Sequence, residues 1–217
     1  MINFMMRILI ADDHAVVRQG LSNILVKAYP HAVCGEARNA TELLQSLRAE
    51  QWDVVILDIN MPGRSGLEVL KDLKQDRPEL PVLVLSMHPE DQYAVRTLKA
   101  GASGYLNKDC APDELANAVT RILEGRKYIS PALAEALASG LDPTKTPTAA
   151  LPHESLSDRE YQVLCHLAAG KKPGEIADAL CLTPQTISTY RTRILEKMDM
   201  KTTAELMRYA IENNLAE

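Results

Sequence analysis

The chain from Arg7 to about Leu133 alternates short apolar runs with stretches in which apolar residues recur at helical spacing. Runs such as Val54–Leu57 and Val82–Leu85 are apolar without alternation, which is typical of central strands covered on both faces. This order of elements predicts an α/β fold with a doubly wound, five-stranded parallel sheet. The predicted strands are Arg7–Ala11, Ala32–Ala37, Val54–Leu57, Val82–Leu85 and Gly104–Leu106.

Capping and helix-breaking residues mark the helices between these strands. Asn39 is suited to cap the second helix, and Pro78 closes the helix that begins at Gly66. Pro112 opens the last helix, which Gly125 ends. Five strand-helix units are therefore predicted.

Between the two patterned regions, within residues 134–153, prolines and threonines occur without a regular spacing of apolar residues. Such composition is typical of a linker. We predict two domains, residues 1–133 and 154–217, joined by a linker of residues 134–153 with a short helix at its start. The second domain is predicted to be small, all-helical and built of four helices. Their start signals are the capping box Ser157-x-x-Glu160, Pro173, the pair Thr183-Pro184 and the capping box Thr202-x-x-Glu205.

Charge and cysteine usage narrow the classes of function. The formal net charge is −5, and residues 151–217 carry 8 Lys and Arg against 10 Asp and Glu, so DNA binding requires a local basic surface. No apolar run reaches the roughly 18 to 20 residues of a membrane span, and no secretory signal is evident, which predicts a cytoplasmic protein without membrane association. The four cysteines form no C-x-x-C pair, so buried reduced thiols are expected.

Acidic residues stand at the carboxyl ends of the predicted strands, where ligands bind in open α/β sheets. Asp12 and Asp13 follow the first strand, and Asp58 follows the third. Three carboxylates at one edge repel each other, and hard oxygen ligands of this kind suit Mg²⁺. Ser86 follows the fourth strand, and the fifth leads to Lys108, whose ammonium can neutralise a transferring phosphoryl group. The set predicts that Asp58 attacks in line and holds an acyl phosphate.

The order and spacing of these motifs resemble the receiver domain of bacterial two-component response regulators, a flavodoxin-like or CheY-like fold, over about Arg7 to Arg126. The motifs are Asp12-Asp13, Asp58 followed by Met61-Pro62-Gly63, Ser86 and Gly104-Tyr105-Leu106-Asn107-Lys108. The resemblance implies that a sensor histidine kinase phosphorylates Asp58.

The resemblance also assigns roles to the other residues of the pocket. Mg²⁺ is expected to bind Asp12, Asp13, Asp58 and the backbone carbonyl of Asn60. Ser86, Tyr105 and Lys108 are expected to form a switch in which Tyr105 turns inward when Ser86 moves toward the phosphate. Many receivers have Lys-Pro where this chain has Lys108-Asp109. His88 is either plain surface or a group that tunes the lifetime of the phosphate.

The third helix of the second domain has two contrasting sides. Ile187, Ile194 and Met198 share a stripe that is expected to face the core. The opposite side is small, polar and uncharged, which suits a DNA major groove, and consists of Gln185, Ser188, Thr189 and Thr192. Arg191 leans toward the core stripe, where its stem is expected to pack. Between Thr183 and Lys201 four cations outnumber two acids, so the charges are locally segregated.

The segment from Leu156 to Met198 resembles the LuxR-type helix-turn-helix, and the whole chain resembles the NarL/FixJ subfamily of transcriptional regulators. The predicted DNA contacts are Lys172, Thr183, Gln185, Thr186, Ser188, Thr189, Tyr190, Arg191, Thr192, Arg193 and Lys197. The implied partners are promoter DNA, the kinase, a second copy of the chain when phosphorylated or DNA-bound, and RNA polymerase. The family often carries Lys at the place of Ser188 and His at that of Tyr190, so no operator sequence is carried over.

Three other functions compete with this one. The pattern of the second domain also fits a four-helix module that binds protein. A Mg²⁺-dependent phosphatase with Asp58 as nucleophile would place a second aspartate two residues on, where this chain has Asn60. A regulator that works without phosphate would not require the complete pocket. We therefore expect a phospho-accepting regulator with, at most, self-catalysed phosphoryl transfer and autodephosphorylation, and not an enzyme.

Overall fold

The computed structural model describes residues 5–61, 63–87, 90–131, 133–135, 151–213 and 215, apart from the side chains of residues 90–92 and 154. The chain forms two compact units, Met1–Leu141 and Asp142–Glu217. The predicted linker falls mainly outside the described residues, so its limits stay a prediction. No helix in the described part of the chain combines the length and the apolar character needed to cross a lipid bilayer.

The first unit contains a five-stranded sheet in the order β2-β1-β3-β4-β5, with every neighbouring pair parallel. The order reverses direction between β1 and β3, and the carboxyl ends of these two strands form the crevice where ligands bind in this architecture. The strands are β1 (Arg7–Ala11), β2 (Val33–Ala37), β3 (Val54–Asp58), β4 (Val82–Ser86) and β5 (Gly104–Asn107). The predicted sheet is confirmed, with ends that shift by one residue.

Helices cover this sheet on both faces. Apolar side chains of α1 and α5 pack with alternate strand residues such as Ile8, Ile10 and Ile56 in one buried cluster. The intervening strand residues point to the opposite face, where α2 packs against β1 and β2 and α4 packs against β5. The helices are α1 (Ala15–Ala28), α2 (Ala40–Ala49), α3 (Gly66–Asp76), α4 (Glu90–Lys99) and α5 (Pro112–Leu123).

Local sequence accounts for the helix limits. The side chain of Asn39 accepts a hydrogen bond from the Glu42 amide at 3.0 Å, as its predicted capping role requires. Pro112 stands in the first turn of α5, and Gly125 follows that helix with a φ of 78°, a conformation that glycine adopts without strain. These helix signals are confirmed.

In its described residues, the second unit has four α-helices, as predicted, preceded by a 3₁₀ helix (Pro152–Ser155) that the sequence pattern did not predict. They are α6 (Asp158–Ala168), α7 (Pro173–Ala179), α8 (Pro184–Lys197) and α9 (Thr203–Glu212). Helix α6 packs against α8 and α9, and α7 packs against α8. Ile187, Ile194 and Met198 are buried, so the predicted core stripe of α8 is confirmed.

The cysteines are all free among the residues described. Cys165 is buried and Cys34 and Cys110 are half-buried, and burial raises the pKa of the latter two thiols. Cys181 is exposed, so the expectation of a buried thiol is wrong at this position. Cys181 follows α7 in the left-handed conformation, with a φ of 52°.

Candidate functional site

The crevice between β1 and β3 brings the predicted acidic residues together. Asp58 is the last residue of β3, and Asp12 directly follows β1, whose register aligns Ala11 with Leu57. The Lys108 ammonium lies between their carboxylates, with Nζ 2.6 Å from Asp12 Oδ2 and 2.8 Å from Asp58 Oδ2. All three side chains are at most 9 % exposed. The loop after β5 therefore supplies the cation of a buried ionic cluster.

Burial and charge act in opposite directions on these groups. Burial raises the pKa of Asp58 above its ordinary value, although the nearby Lys108 charge acts to lower it. Burial alone would lower the pKa of Lys108, but the charges of Asp58 and Asp12 outweigh it, and the pKa is raised. Lys108 is thus held in its charged form, while the fold favours protonation of Asp58.

Backbone amides fix the two buried carboxylates. The Asn60 amide donates to Asp58 Oδ1 at 3.0 Å, and the His14 amide donates to Asp12 Oδ1 at 2.8 Å. The start of α3 closes around Asp58, because a Cβ atom at Gly66 would overlap the Asp58 carbonyl oxygen. Only glycine fits at this first position of α3 without displacing the end of β3.

Four side chains around the crevice can offer ligand atoms to one metal ion. These atoms lie within 4.8 Å of one another and belong to Asp12, Asp13, His14 and Asp58. Three are the predicted Mg²⁺ ligands. His14 was missed by the sequence reasoning, and its Nδ1 lies 2.7 Å from Asp13 Oδ1. Its position next to the acidic pair, before α1, was the available signal.

Arg18 is a second residue that the sequence reasoning missed. Its side chain is 5 % exposed. The guanidinium donates from Nη1 to the Asp12 carbonyl oxygen at 2.8 Å and from Nε to Glu36 Oε2 at 2.8 Å. A buried arginine that donates two hydrogen bonds fixes the backbone from which Asp12 projects. The sequence did carry a signal for Arg18, because it is a charged residue in the first turns of α1 on the side of the helix that carries Leu21 and Leu25.

The predicted switch residues lie on the neighbouring strands. Ser86 ends β4 and is fully buried, and its carbonyl accepts a hydrogen bond from the Lys108 amide at 2.9 Å. Tyr105 on β5 is also fully buried, and its part in the switch stays a prediction. His88 lies outside the described residues, and the hypothesis on it stays untested.

The second unit presents the predicted polar side of α8 to solvent. Gln185, Ser188, Thr189 and Thr192 are exposed. The three hydroxyls each donate to the carbonyl oxygen four residues earlier, at 3.1 Å in every case. Thr183 caps the helix by accepting from the Thr186 amide at 3.2 Å.

Charged residues around this side have different surroundings. Lys172 and Arg193 are exposed. Arg191 is exposed too, which fits a guanidinium that reaches solvent, and the packing of its stem against the core stripe stays a prediction. Lys197 is half-exposed and forms an ion pair with Glu160 at 2.7 Å.

Comparison with known families identifies both domains of the chain. Residues 8–120 match the family described as "Response regulator receiver domain", and residues 154–210 match "Bacterial regulatory proteins, luxR family". The chain is a response regulator of the NarL/FixJ family.

The regulator resembles known response regulators over nearly its whole length. It is 35% identical to response regulator GacA of Pseudomonas aeruginosa over 98% of this chain and 99% of that protein. It is 34% identical to response regulator UvrY of Escherichia coli K12 over 97% of this chain and 96% of that protein. This family consists of transcriptional regulators and not of enzymes in the ordinary sense, as the sequence predicted.

Solved structures extend the similarity to a DNA complex. RcsB of Salmonella enterica serovar Typhimurium, bound to promoter rprA in the presence of phosphomimetic BeF3−, has a TM-score of 0.64 and 28% identity to the regulator. The match covers 94% of this chain and 97% of that chain. The regulator thus combines a receiver domain with a LuxR-type DNA-binding domain. Receivers bind Mg²⁺ through acidic residues, and Asp12, Asp13 and Asp58 form such a cluster here.

Proposed function

We propose that Asp58 accepts a phosphoryl group from a sensor histidine kinase and that this event controls DNA binding and transcription of target genes. The observation that carries the proposal is the Lys108 ammonium held between the carboxylates of Asp12 and Asp58 at the crevice of the sheet. A fixed positive charge beside a nucleophilic carboxylate suits phosphoryl transfer, in which charge on the phosphoryl oxygens must be neutralised.

We further propose that Mg²⁺ binds Asp12, Asp13, Asp58 and the backbone carbonyl of Asn60. The donor set fits, because the acid cluster holds three carboxylates and the Lys108 ammonium pairs with two of them, Asp12 and Asp58, which leaves negative charge that a divalent cation would neutralise. When bound, Mg²⁺ supplies charge neutralisation at the phosphoryl oxygens.

In the transfer, an Asp58 carboxylate oxygen forms the new bond to phosphorus while the bond from phosphorus to the donor's histidine nitrogen breaks. Lys108 is placed to stabilise the charge on the phosphoryl oxygens. Ser86 would then donate its hydroxyl to the phosphate, with Tyr105 inward as the matching state of the switch. Phosphorylation adds roughly two negative charges to this edge of the sheet.

On the output side, we propose that α8 enters the major groove of promoter DNA. Its exposed glutamine and hydroxyl side chains are suited to base edges, and the surrounding cations are suited to phosphates. The proposed contacts are those predicted from the sequence except Lys197, whose ammonium is paired with Glu160. They are Lys172, Thr183, Gln185, Thr186, Ser188, Thr189, Tyr190, Arg191, Thr192 and Arg193.

The proposed DNA binding also bears on the oligomeric state and the partners of the regulator. Helix-turn-helix modules gain affinity from paired half-sites, so we propose a homodimer when the regulator is phosphorylated or DNA-bound. RNA polymerase is a further proposed partner, and the proposed location is the cytoplasm. The domain limits are proposed as 1–133 for the receiver, 134–153 for the linker and 154–217 for the DNA-binding domain.

The phosphoryl half is tested by incubating the full chain with acetyl phosphate and Mg²⁺ and measuring intact mass. Wild type and Asp109→Ala, a neighbouring exposed aspartate, should each gain one phosphoryl group, and Asp58→Ala should gain none. A gain that persists in Asp58→Ala would refute the assignment. Sustained turnover of small phosphoesters would favour the phosphatase.

The DNA half is tested with a duplex selected by the wild-type chain from a randomised pool. Binding should tighten on phosphorylation and weaken steeply with salt, because contacts to phosphates release counterions. Failure to select any duplex would favour the alternative of a protein-binding output domain.

A further inference from the structure

Glu160 in the first turn of α6 is a buried carboxylate outside both sites described above. It is 3 % exposed, and its Oε2 atom accepts three hydrogen bonds. The Ser157 amide donates at 2.7 Å and the Ser157 hydroxyl at 2.8 Å. The third donor is the ammonium of Lys197, at 2.7 Å. A capping box, which normally serves one helix, here also binds the last residue of α8.

The ion pair is fixed more firmly at one end than at the other. The Lys197 side chain is 42 % exposed, whereas the Glu160 carboxylate is almost inaccessible. Burial alone would raise the pKa of Glu160, but the hydrogen bonds from Lys197 and Ser157 outweigh it and lower the pKa. The carboxylate therefore stays ionised at neutral pH and holds the lysine through a charge-assisted hydrogen bond.

The Glu160–Lys197 ion pair lies at the last residue of α8, so a small change of angle there displaces the first turn of the helix, where base contacts are proposed. Lys197 is the last residue of α8, and Gln185 stands in its first turn, about 18 Å away along the helix axis. A tilt of roughly 5° about the Lys197 end would move the Gln185 end by about 1.5 Å. Contacts to base edges tolerate no such displacement, since hydrogen bonds weaken steeply with distance and angle.

We propose that Glu160 is a positioning residue for DNA recognition, which fixes the angle of α8 by holding Lys197 at the start of α6. Lys197 then acts through Glu160 and does not contact a DNA phosphate. This inference rests on the proposed entry of α8 into the major groove, and it replaces the phosphate contact predicted for Lys197 from its charge alone.

The two roles of Lys197 predict opposite results for Glu160→Gln. If Lys197 served a phosphate, Glu160 would compete with the DNA for it, and loss of the acidic charge would tighten binding. If Glu160 positions α8, the same substitution weakens binding. The change keeps the shape of the side chain and removes only the charge that holds the lysine.

The experiment measures the dissociation constant of the full-length chain for the selected duplex over a range of salt concentrations. We expect Lys197→Met and Glu160→Gln to weaken binding by about tenfold each, the loss of about one base contact, with an unchanged salt slope. The double variant should be no weaker than either single variant, because both remove the same interaction. Lys197→Arg, which keeps a positive charge for Glu160, should retain most of the wild-type affinity.

Arg193→Met is the matched control, since Arg193 is an exposed cation of α8 with a proposed phosphate contact. It should reduce the salt slope by about one. A similar drop for Lys197→Met, or tighter binding by Glu160→Gln, would overturn the positioning role. If Glu160→Gln loses the thermal transition of the second unit, the salt slope of Lys197→Met decides alone. If the wild type selects no duplex, the proposed function itself fails.

Discussion

The acidic crevice of the receiver and the outward side of α8 both carry polar chemistry, but they hold it in opposite ways. In the crevice, Lys108 and its two aspartate partners are buried and bonded to one another. On α8, Ser188, Thr189 and Thr192 are exposed, and each hydroxyl donates to a carbonyl oxygen of its own helix. The charged side chains of the crevice thus contact one another, whereas the hydroxyls of α8 contact only local backbone groups among the contacts described.

This difference follows from what each site must do. A phosphoryl group needs opposing charges at fixed positions, and these have greater effect in a site shielded from water. The fold bears the cost of keeping three carboxylates together. Base edges can be reached by side chains that exchange a local hydrogen bond for one to DNA. We therefore expect substitutions in the crevice to change stability and those on α8 to change affinity.

Gly66→Ala should have the largest effect on stability. The added Cβ would overlap the Asp58 carbonyl, so β3 or α3 must shift, and the free energy of unfolding of the first unit should fall by about 3 kcal/mol or more. Urea denaturation followed by circular dichroism measures this change. Gly20→Ala is the matched control, because a Cβ at this exposed position in α1 meets nothing within 4 Å. It should be stabilising by up to about 1 kcal/mol. Equal effects would show that the crevice tolerates displacement.

Asp58→Asn should be stabilising although it abolishes phosphorylation. Because burial raises the pKa of Asp58, the folded chain binds a proton at this carboxyl more readily than the unfolded chain does. The ionised form thus destabilises the fold at neutral pH, and the substitution should add about 1 kcal/mol to the free energy of unfolding in EDTA.

The pH dependence of that gain has a definite sign. As the pH falls through the raised pKa of Asp58, the wild-type carboxyl takes up a proton, and the advantage of Asp58→Asn should shrink. Asp109→Asn, at an exposed position, should differ from wild type by less than about 0.5 kcal/mol. A less stable Asp58→Asn would mean that the Lys108 ion pair outweighs the cost of burial.

Thr189→Val should have the smallest effect on stability and a clear effect on DNA binding. The valine keeps the shape of threonine and loses the hydroxyl, so unfolding should change by less than about 0.5 kcal/mol. Affinity for the selected duplex should fall by about 1 kcal/mol. Thr120→Val removes a hydroxyl with the same bond to a carbonyl four residues earlier, on α5, and should leave affinity unchanged. Unchanged binding by Thr189→Val would place base contacts elsewhere.

The sequence predicted most of the sheet and the crevice, because continuous apolar runs identify buried strands and their carboxyl ends identify the functional edge. Asp58 and Ser86 are the last residues of their strands and not the first beyond them, since the ladder extends one residue past each apolar run. Spacing alone did not identify Arg18 or His14. Arg18 contacts the Asp12 carbonyl and Glu36, and the His14 ring contacts Asp13, and these contacts depend on the folded geometry.

The helical unit was predicted in outline for a similar reason. Capping signals gave the start of each helix, and periodicity gave the core stripe of α8. Periodicity records the angle of a residue around the helix and not the path of a long charged side chain, so it cannot fix where the stem of Arg191 lies. It also treated Lys197 as one more surface cation, and only the packing of α6 against α8 brings it to Glu160.

The hydroxyl groups of α8 satisfy their own hydrogen bonds, and the burial of this helix depends on other residues. The outward residues of α8 can thus be changed by single codon substitutions at little cost to folding. Under the proposed role of α8 in DNA recognition, gene duplicates of such a regulator have a route to new target promoters while their input chemistry is preserved, because the residues proposed to read DNA are separate from those that hold the helix in place.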